Sequence, residues 1–385
     1  MFNRPEERSE LRFHADQGRS ILMLAPRRIG KTWLIDRLAE DLRKAGWLAV
    51  RCDVQDISTE TDFLRHLCLR IEDQDDLLHR AEGRAKQVIS QLFSKDHGLN
   101  WRKTLGQTDW KSFAETLVRS LNERDQPTMI LIDELALFVA AMLKKNVQTA
   151  REFLYGLRAL QQAYPKVRWL FTGSIGLDTI ARRGDIAGAL VNLHLFTLEP
   201  LRPAAARAYI ENLCATKQVQ HPFVLEDAAF SAFVTELGWL APFYIEKLAL
   251  LIRPTGRPNA QGQPSATAID VAAAFTAILG RNHRINFVTW EEHLSKNFKP
   301  TEAAFMRRVL DVCCRQVSGE QFDTLLARLG EAPTAAKRKM LRDSLNILVT
   351  DGYLLETETA DAVRYCFYSG LLRRYWQRYH AERSS

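Results

Sequence analysis

Gly30, Lys31 and Thr32 stand together in the stretch Leu24-Ala25-Pro26-Arg27-Arg28-Ile29-Gly30-Lys31-Thr32. A glycine followed by a lysine and a hydroxyl suits the holding of phosphate. The glycine lets the backbone approach an anion, the ammonium reaches its oxygens, and the hydroxyl offers a ligand to a divalent cation. The stretch follows the pattern G-x-x-x-x-G-K-[ST] except that Ala25 takes the place of the first glycine. In a loop between strand and helix, Pro26, Arg27, Arg28, Ile29 and Gly30 would wrap β- and γ-phosphates, with Lys31, Thr32 and Trp33 at the helix start, where exposed N–H groups and the helix dipole favour negative charge. Lys31 is expected on phosphate oxygens and Thr32 on Mg2+.

Two further groups could serve the same chemistry. The run "TMILIDEL", Thr128 to Leu135, ends in Asp133 and Glu134. A carboxylate pair at the tip of an apolar strand is costly unless it holds a cation or takes part in a reaction. Asp133 is therefore expected to hold Mg2+ through water and Glu134 to polarise an attacking water. The run "VRWLFTGSIGL", Val167 to Leu177, ends instead in Thr172, Gly173 and Ser174. Thr172 or Ser174 could sense a γ-phosphate or orient the water. The plainer alternatives are a strand ending in ordinary loop acids and a strand followed by a Ser/Gly turn.

The elements that must position these groups are legible in outline. Ser20 to Ala25 is an apolar run closed by Pro26, the mark of a buried strand, and Leu34, Leu38 and Leu42 recur at four-residue steps along a helix. "GWLAVRCDV", Gly46 to Val54, supplies another strand with Asp53 near its end, and Arg151 to Tyr164 reads as an amphipathic helix. Strands alternating with such helices imply a parallel sheet covered on both faces. The order of loop, acidic strand and polar-tipped strand is that of the ATPase branch in which an extra strand lies between the loop strand and the acid strand.

At 385 residues the chain has room for two or three modules. With 46% hydrophobic and 26% charged residues it has an ordinary globular composition. Charges interrupt every apolar run before the roughly 18 residues of a membrane span. "MFNRPEERSE" has no apolar core of a secretory signal, so a cytoplasmic location is expected. The six cysteines show no C-x-x-C pairing, which points to buried thiols in a reducing compartment rather than a zinc site. A net charge of +7 permits an acidic partner without requiring one.

Beyond Leu201 the chain is rich in helical patterns, interrupted by the Pro/Gly/Gln-rich stretch Arg253 to Ala266, expected as an exposed loop. A connecting helix is expected around Val288 to Phe298. From Pro300 the pattern changes. Thr301 to Arg315, Phe322 to Leu329 and Ala335 to Thr350 read as three helices, and "YLLETETADAVRYCFY" as two strands around a polar turn. Three helices and a hairpin make a winged helix, closed by an amphipathic helix in "SGLLRRYWQRYH". Its third helix carries Lys337, Arg338, Lys339 and Arg342, which could meet the phosphates of double-stranded DNA. Glu356, Glu358 and Asp361 make the hairpin acidic, so a protein contact is the equal alternative.

In family order the chain carries "RPEE" at Arg4 to Glu7, "PRRIGKT", "ILIDEL", "FLYGLRAL", "LFTGSIGL", "LEPL" at Leu198 to Leu201 and "GWLAPFYIEKLA" at Gly238 to Ala249. In these motifs the sequence resembles the archaeal-ATPase-like group of P-loop proteins, relatives of the AAA+ initiators and of the signal-transducing STAND ATPases. The resemblance implies ATP and Mg2+ as ligands, with Arg4 and Glu7 along the adenine and ribose. It also implies that Pro242 starts a lid helix over the base and β-phosphate, and it puts Lys247 near a second sensor position. Three departures stand out: Ala25 for glycine, "GWLAP" for the usual Gly-Gly-x-Pro, and Val191-Asn192 where many relatives have a trans-acting arginine. Arg182 and Arg183 are the nearest substitutes.

The expected architecture is α/β, a P-loop NTPase of the ASCE/AAA+ type. A core over residues 1–198 precedes a helical lid over 199–298 and a winged-helix domain over 299–385. The expected function is a weak, slowly hydrolysing ATPase that acts as a nucleotide-controlled switch for self-association or for binding a protein partner. The alternative is a DNA-binding protein of a mobile element or anti-phage defence locus with ATP as a structural ligand. A P-loop kinase fits less well, because an acid pair beside a hydroxyl-tipped strand is suited to activating water.

Overall fold

The computed structural model describes residues 4–73, 105, 108–173, 177, 180, 181, 184–260, 262–359 and 362–381. Ser174, Arg182, Arg183 and Asp361 lie outside the described residues. The chain divides into two compact units. One holds Arg4–Ala25 and Lys31–Leu198; the other holds Pro26–Gly30 and the chain from Glu199 on.

The first unit is built on five parallel strands: β1 (Ile21–Leu24), β2 (Leu48–Asp53), β3 (Thr128–Asp133), β4 (Val167–Gly173) and β5 (His194–Thr197). Their order is β2-β3-β4-β1-β5, so β4 lies between β1 and β3, as the motif order implied. All six residues of β3 are buried, which accounts for its unbroken apolar character up to Asp133. Helices α1 (Pro5–Asp16), α2 (Lys31–Lys44), α3 (Glu60–Glu72), α4 (Trp110–Asn122), α5 (Leu135–Lys145) and α6 (Val147–Ala163) accompany the sheet. Leu34, Leu38 and Leu42 are buried along α2. Phe63, Phe138 and Phe153 meet in stacked and edge-on pairs with centroids 5.0 to 5.6 Å apart, tying α3, α5 and α6 together.

The second unit contains α7 (Pro203–Ala215), β6 (Val224–Leu225), α8 (Asp227–Leu237), α9 (Pro242–Ala249), β7 (Ser265–Ala266), α10 (Ala268–Ile278) and α11 (Val288–Asn297). Then come α12 (Pro300–Cys313), β8 (Glu320–Gln321), α13 (Phe322–Arg328), α14 (Ala335–Thr350), β9 (Leu354–Thr359), β10 (Ala362–Phe367) and α15 (Gly370–Tyr379). From α12 on, the order is helix, short strand, two helices, two paired strands and a closing helix. The two-residue strand β8, invisible to sequence patterning, completes a three-stranded sheet in the order β8-β10-β9.

A buried aromatic network joins these elements. The Trp290 indole donates to the Tyr244 hydroxyl at 2.7 Å, and the Tyr353 hydroxyl donates to the Trp290 carbonyl at 2.7 Å. Five cysteines are buried and Cys366 is half-buried; burial pushes the Cys52 and Cys314 thiols up to about 12, so both stay protonated and inert. Among the described residues no helix is long and apolar enough to cross a membrane.

The exposed-loop expectation for Arg253 to Ala266 meets one correction. Ser265 and Ala266 are buried as β7, paired with β6, because Asp270 anchors the returning chain. Its carboxylate accepts from the backbone N–H of Thr255 and Thr267 at 3.1 and 2.8 Å and from both hydroxyls at 2.8 and 2.9 Å. Burial alone would raise this carboxyl, but the hydrogen bonds from Thr267 and Thr255 outweigh it and hold the group below the usual carboxylate range. A folded pKa below the unfolded one contributes stability above the unfolded value of about 3.9, and that stability is lost as pH falls through the folded value. Asp270→Asn is expected to cost about 1–3 kcal/mol at neutral pH and to flatten the acid limb of the stability profile. Urea unfolding between neutral and acidic pH checks this; identical acid limbs in the two proteins would contradict it.

Candidate functional site

The parallel sheet brings the tips of three strands and the start of α2 to one place in the first unit. Asp133, at the end of β3, is 1% exposed, and a lone charge there would be costly. It is instead surrounded by donors. The Thr32 hydroxyl donates to Oδ2 at 3.0 Å, the Thr172 hydroxyl donates to Oδ1, and Arg51 Nη2 donates to Oδ2 at 3.0 Å. Thr172, itself fully buried at the tip of β4, also accepts from the Glu134 N–H at 3.4 Å. The structure thus brings Thr32, Asp133, Glu134 and Thr172 together.

Glu134 has φ 61° and ψ 31°, a left-handed conformation that a non-glycine residue adopts only when its surroundings impose it. It caps the N-terminus of α5, which turns the chain sharply away from β3 and leaves its side chain half-buried. The Lys31 side chain is 7% exposed, and its ammonium donates to the Ala25 carbonyl at 3.3 Å. Ala25 has no positive φ, so the missing glycine costs the backbone nothing. What this position supplies to Lys31 is a carbonyl.

The loop Pro26–Gly30 belongs with the second unit. Arg28 at φ 66° and Gly30 at φ 94° are left-handed, while Ile29 between them is not. Alternating handedness of this kind turns successive N–H groups inward as an anion-binding nest. Only Gly30 was expected to need that freedom; Arg28 takes it because its side chain is anchored. Its guanidinium lies 4.1 Å from the centroid of the Phe243 ring and donates to the Thr289 hydroxyl at 3.1 Å. Burial lowers the Arg28 pKa from its ordinary value, with the group still a cation at neutral pH.

Ile29 is fully buried. Pro242 is the first residue of α9, and a Cβ added at Gly30 would meet its ring at 3.9 Å. At Gly352, where φ is 81°, an added Cβ would come 2.5 Å from the Pro26 Cβ. The turn after α14 thus approaches the first residue of the loop too closely for any side chain.

Arg4, 3% exposed with φ 35°, caps α1 and pairs with Glu7 at 2.6 Å. Burial lowers its pKa while Glu7 opposes that effect. Trp33 packs on α2, with the Arg37 guanidinium 5.8 Å from its ring centroid. Lys247 lies 3.5 Å from Glu246 and 5.5 Å from the Phe243 ring. On α14, Lys337 pairs with Glu331 at 2.8 Å and Arg338 with Asp323 at 2.6 Å, whereas Lys339 and Arg342 are exposed. Val191 is 70% exposed, and Asn192 donates to Gln161 at 2.7 Å.

Sequence reasoning missed Arg51 and Asp36. Asp36 follows Thr32 by four residues, which places both on one helical face. Arg51 precedes Asp53 by two, which places both on one face of β2. Their spacing was readable, but that β2 lies on the other side of β3 from β4 was not. Thr32 and Asp133 present hard oxygen donors converging within hydrogen-bond distance, the donor type Mg2+ prefers, so the residues present fit that ion. Among the described residues there is no group of three or more His, Cys, Asp or Glu arranged to hold a metal.

No protein-family model matches the chain, and no curated protein matches it. Among solved structures it is similar to the Walker-type ATPase PABY2304 of Pyrococcus abyssi, with a TM-score of 0.67 at 13% identity over 98% of this chain and 96% of that one. It is also similar to the Aeropyrum pernix ORC2 protein in its ADPNP–ADP complexes, with a TM-score of 0.55 at 11% identity over 100% and 95%. The chain has the fold of the Walker-type, AAA+-like P-loop ATPases, a mixed α/β architecture around a five-stranded parallel sheet.

Thr172 bridges the two acids, donating to one and accepting from the backbone of the other. Thr172→Val keeps the shape and removes both bonds. It is expected to destabilise the protein by about 1–3 kcal/mol, the cost of leaving a buried carboxylate oxygen short of a donor. Denaturant titration measures this; an unchanged midpoint would mean that the hydroxyl is not part of the support of Asp133.

Proposed function

We propose that the protein binds ATP with Mg2+ and hydrolyses it slowly, as a switch whose nucleotide state governs association with a partner or with itself. The observation that carries this reading is the convergence of Thr32 and Thr172 on the buried Asp133, with Glu134 held beside them. A charged carboxylate placed at such cost, next to a glycine-lysine-threonine loop, is suited to a cation and a phosphate chain.

In this reading the N–H groups around Arg28 and Gly30 cradle the phosphates, and Lys31 leaves the Ala25 carbonyl for a phosphate oxygen. Thr32 and Asp133 would hold Mg2+, which when bound neutralises phosphate charge. Glu134 accepts a hydrogen bond from the attacking water, and Thr172 keeps the acidic strand in register and senses the γ-phosphate. Ser174 keeps its proposed role as an alternative sensor of the γ-phosphate. Arg4 and Glu7 are assigned to the base and ribose, and Pro242 to the start of the lid. The division into a core over 1–198, a lid over 199–298 and a winged helix over 299–385 is retained as the functional one.

Weak turnover fits the absence of an arginine at Val191-Asn192, since charge developing on the γ-phosphate would lack that donor. Lys31→Ala is expected to lower affinity for a fluorescent ATP analogue by at least about tenfold, the loss of one charge-assisted contact. Glu134→Gln is expected to retain affinity and lose nearly all turnover. Light scattering on Glu134→Gln with and without ATP and Mg2+ reads the switch. If Lys31→Ala binds as the wild type does, the site assignment fails.

A second reading is favoured by the exposure of Lys339 and Arg342 on α14: the winged helix meets the phosphates of a DNA duplex. Lys337 and Arg338 are already paired with acids, so the first two residues carry this reading. The double variant Lys339→Glu with Arg342→Glu is expected to abolish a low-salt duplex shift that the wild type shows, and that shift should weaken steeply with salt. No wild-type shift with any duplex at low salt would exclude the reading.

A further inference from the structure

Arg51 stands where the proposed chemistry asks for a cation. Its Nη2 lies 3.0 Å from Asp133 Oδ2, the same oxygen that accepts the Thr32 hydroxyl. Its other contacts are Asp36 Oδ1, 3.2 Å from Nε, and Asp53 Oδ2, 3.8 Å from Nη2. Asp133 is 1% exposed while Asp36 and Asp53 are nearly half exposed, so one guanidinium is shared between a buried acid and two that face water. The three carboxylates come from α2, β2 and β3. The adjacency of β2 and β3, with Asp53 opposite Asp133, puts Arg51 within reach of all of them.

Two cations cannot share one carboxylate oxygen without strong repulsion, and the repulsion is largest where water is excluded. A divalent ion held by Thr32 and Asp133, directly or through water, puts a second positive charge beside the guanidinium and drives it away from Oδ2, and Asp36 and Asp53 give it somewhere to go. We propose that Arg51 is a built-in counter-ion of Asp133: it keeps the acid and the Thr32 hydroxyl assembled in the metal-free protein, and Mg2+ must displace it toward Asp36 and Asp53. Arg51 is then a positioning residue that sets how much Mg2+ the site requires. This rests on the reading of Thr32 and Asp133 as the Mg2+ ligands.

The sharing gives two variants with opposite signs. Arg51→Met removes the competitor and leaves the three acids. The half-saturating Mg2+ for binding a fluorescent ATP analogue should fall by at least about tenfold, the scale expected from removing one like charge beside a poorly solvated site. Asp36→Asn removes part of the refuge and leaves Arg51 bound more firmly to Asp133, so the half-saturating Mg2+ should rise. Arg51→Lys keeps the charge and should stay near the wild-type Mg2+ requirement, which a packing role alone would not predict.

The experiment titrates Mg2+ from a chelated start into the full-length protein and each variant at fixed analogue concentration, with circular dichroism to verify folding. Analogue binding by the wild type, with unchanged or opposite Mg2+ shifts in the variants, would overturn the role of Arg51 alone. No analogue binding by the wild type at any Mg2+ concentration would overturn the nucleotide reading itself. Should Arg51→Met not fold, the rise expected for Asp36→Asn decides: a rise supports the proposal and its absence overturns it.

Discussion

A charged carboxylate almost wholly removed from water is the constraint around which the first unit is arranged. Asp133 is accommodated at the end of β3 because donors reach it from three directions: Thr32 from the start of α2, Thr172 from β4 and Arg51 from β2. Each donor depends on the strand order. With β4 inserted between β1 and β3, the Thr172 hydroxyl falls beside the acid, and with β2 on the far side the guanidinium completes the shell. A different order of the same strands would leave this charge unsupported.

The chemistry-bearing residues were legible because their cost is local. A glycine before a lysine, or an acid pair at the end of "TMILI", is conspicuous in one dimension. The parallel sheet and its inserted strand were legible as well, since buried strands read as unbroken apolar runs. The partners of Asp133 were less so. Thr172 could be expected, being a hydroxyl at a strand tip, but Arg51 lies 82 residues from Asp133, and its spacing to Asp53 does not say that β2 stands beside β3. Its role depends on register across two strands, which no single segment encodes.

The second unit shows the same division between what is local and what is not. Its helices follow their apolar periodicity, and Pro242 begins a helix as a proline at the first turn should. The strands β7 and β8 are two residues each and escape any periodicity test. They exist because other groups hold them: Asp270 gathers the chain beside β7, and β10 gives β8 a partner. The left-handed Arg28 was equally unreadable, since its anchors Phe243 and Thr289 lie more than two hundred positions away in the chain.

Gly352 ties the turn after α14 to the loop Pro26–Gly30. With no room for a side chain between this turn and Pro26, a displacement on one side of the contact is resisted by the other. Such coupling is symmetric by thermodynamic necessity. Were the loop to bind a ligand and the C-terminal helices a partner, each would alter the grip on the other by the same factor. A partner of the C-terminal helices would then be an effector of the loop as much as a target of it.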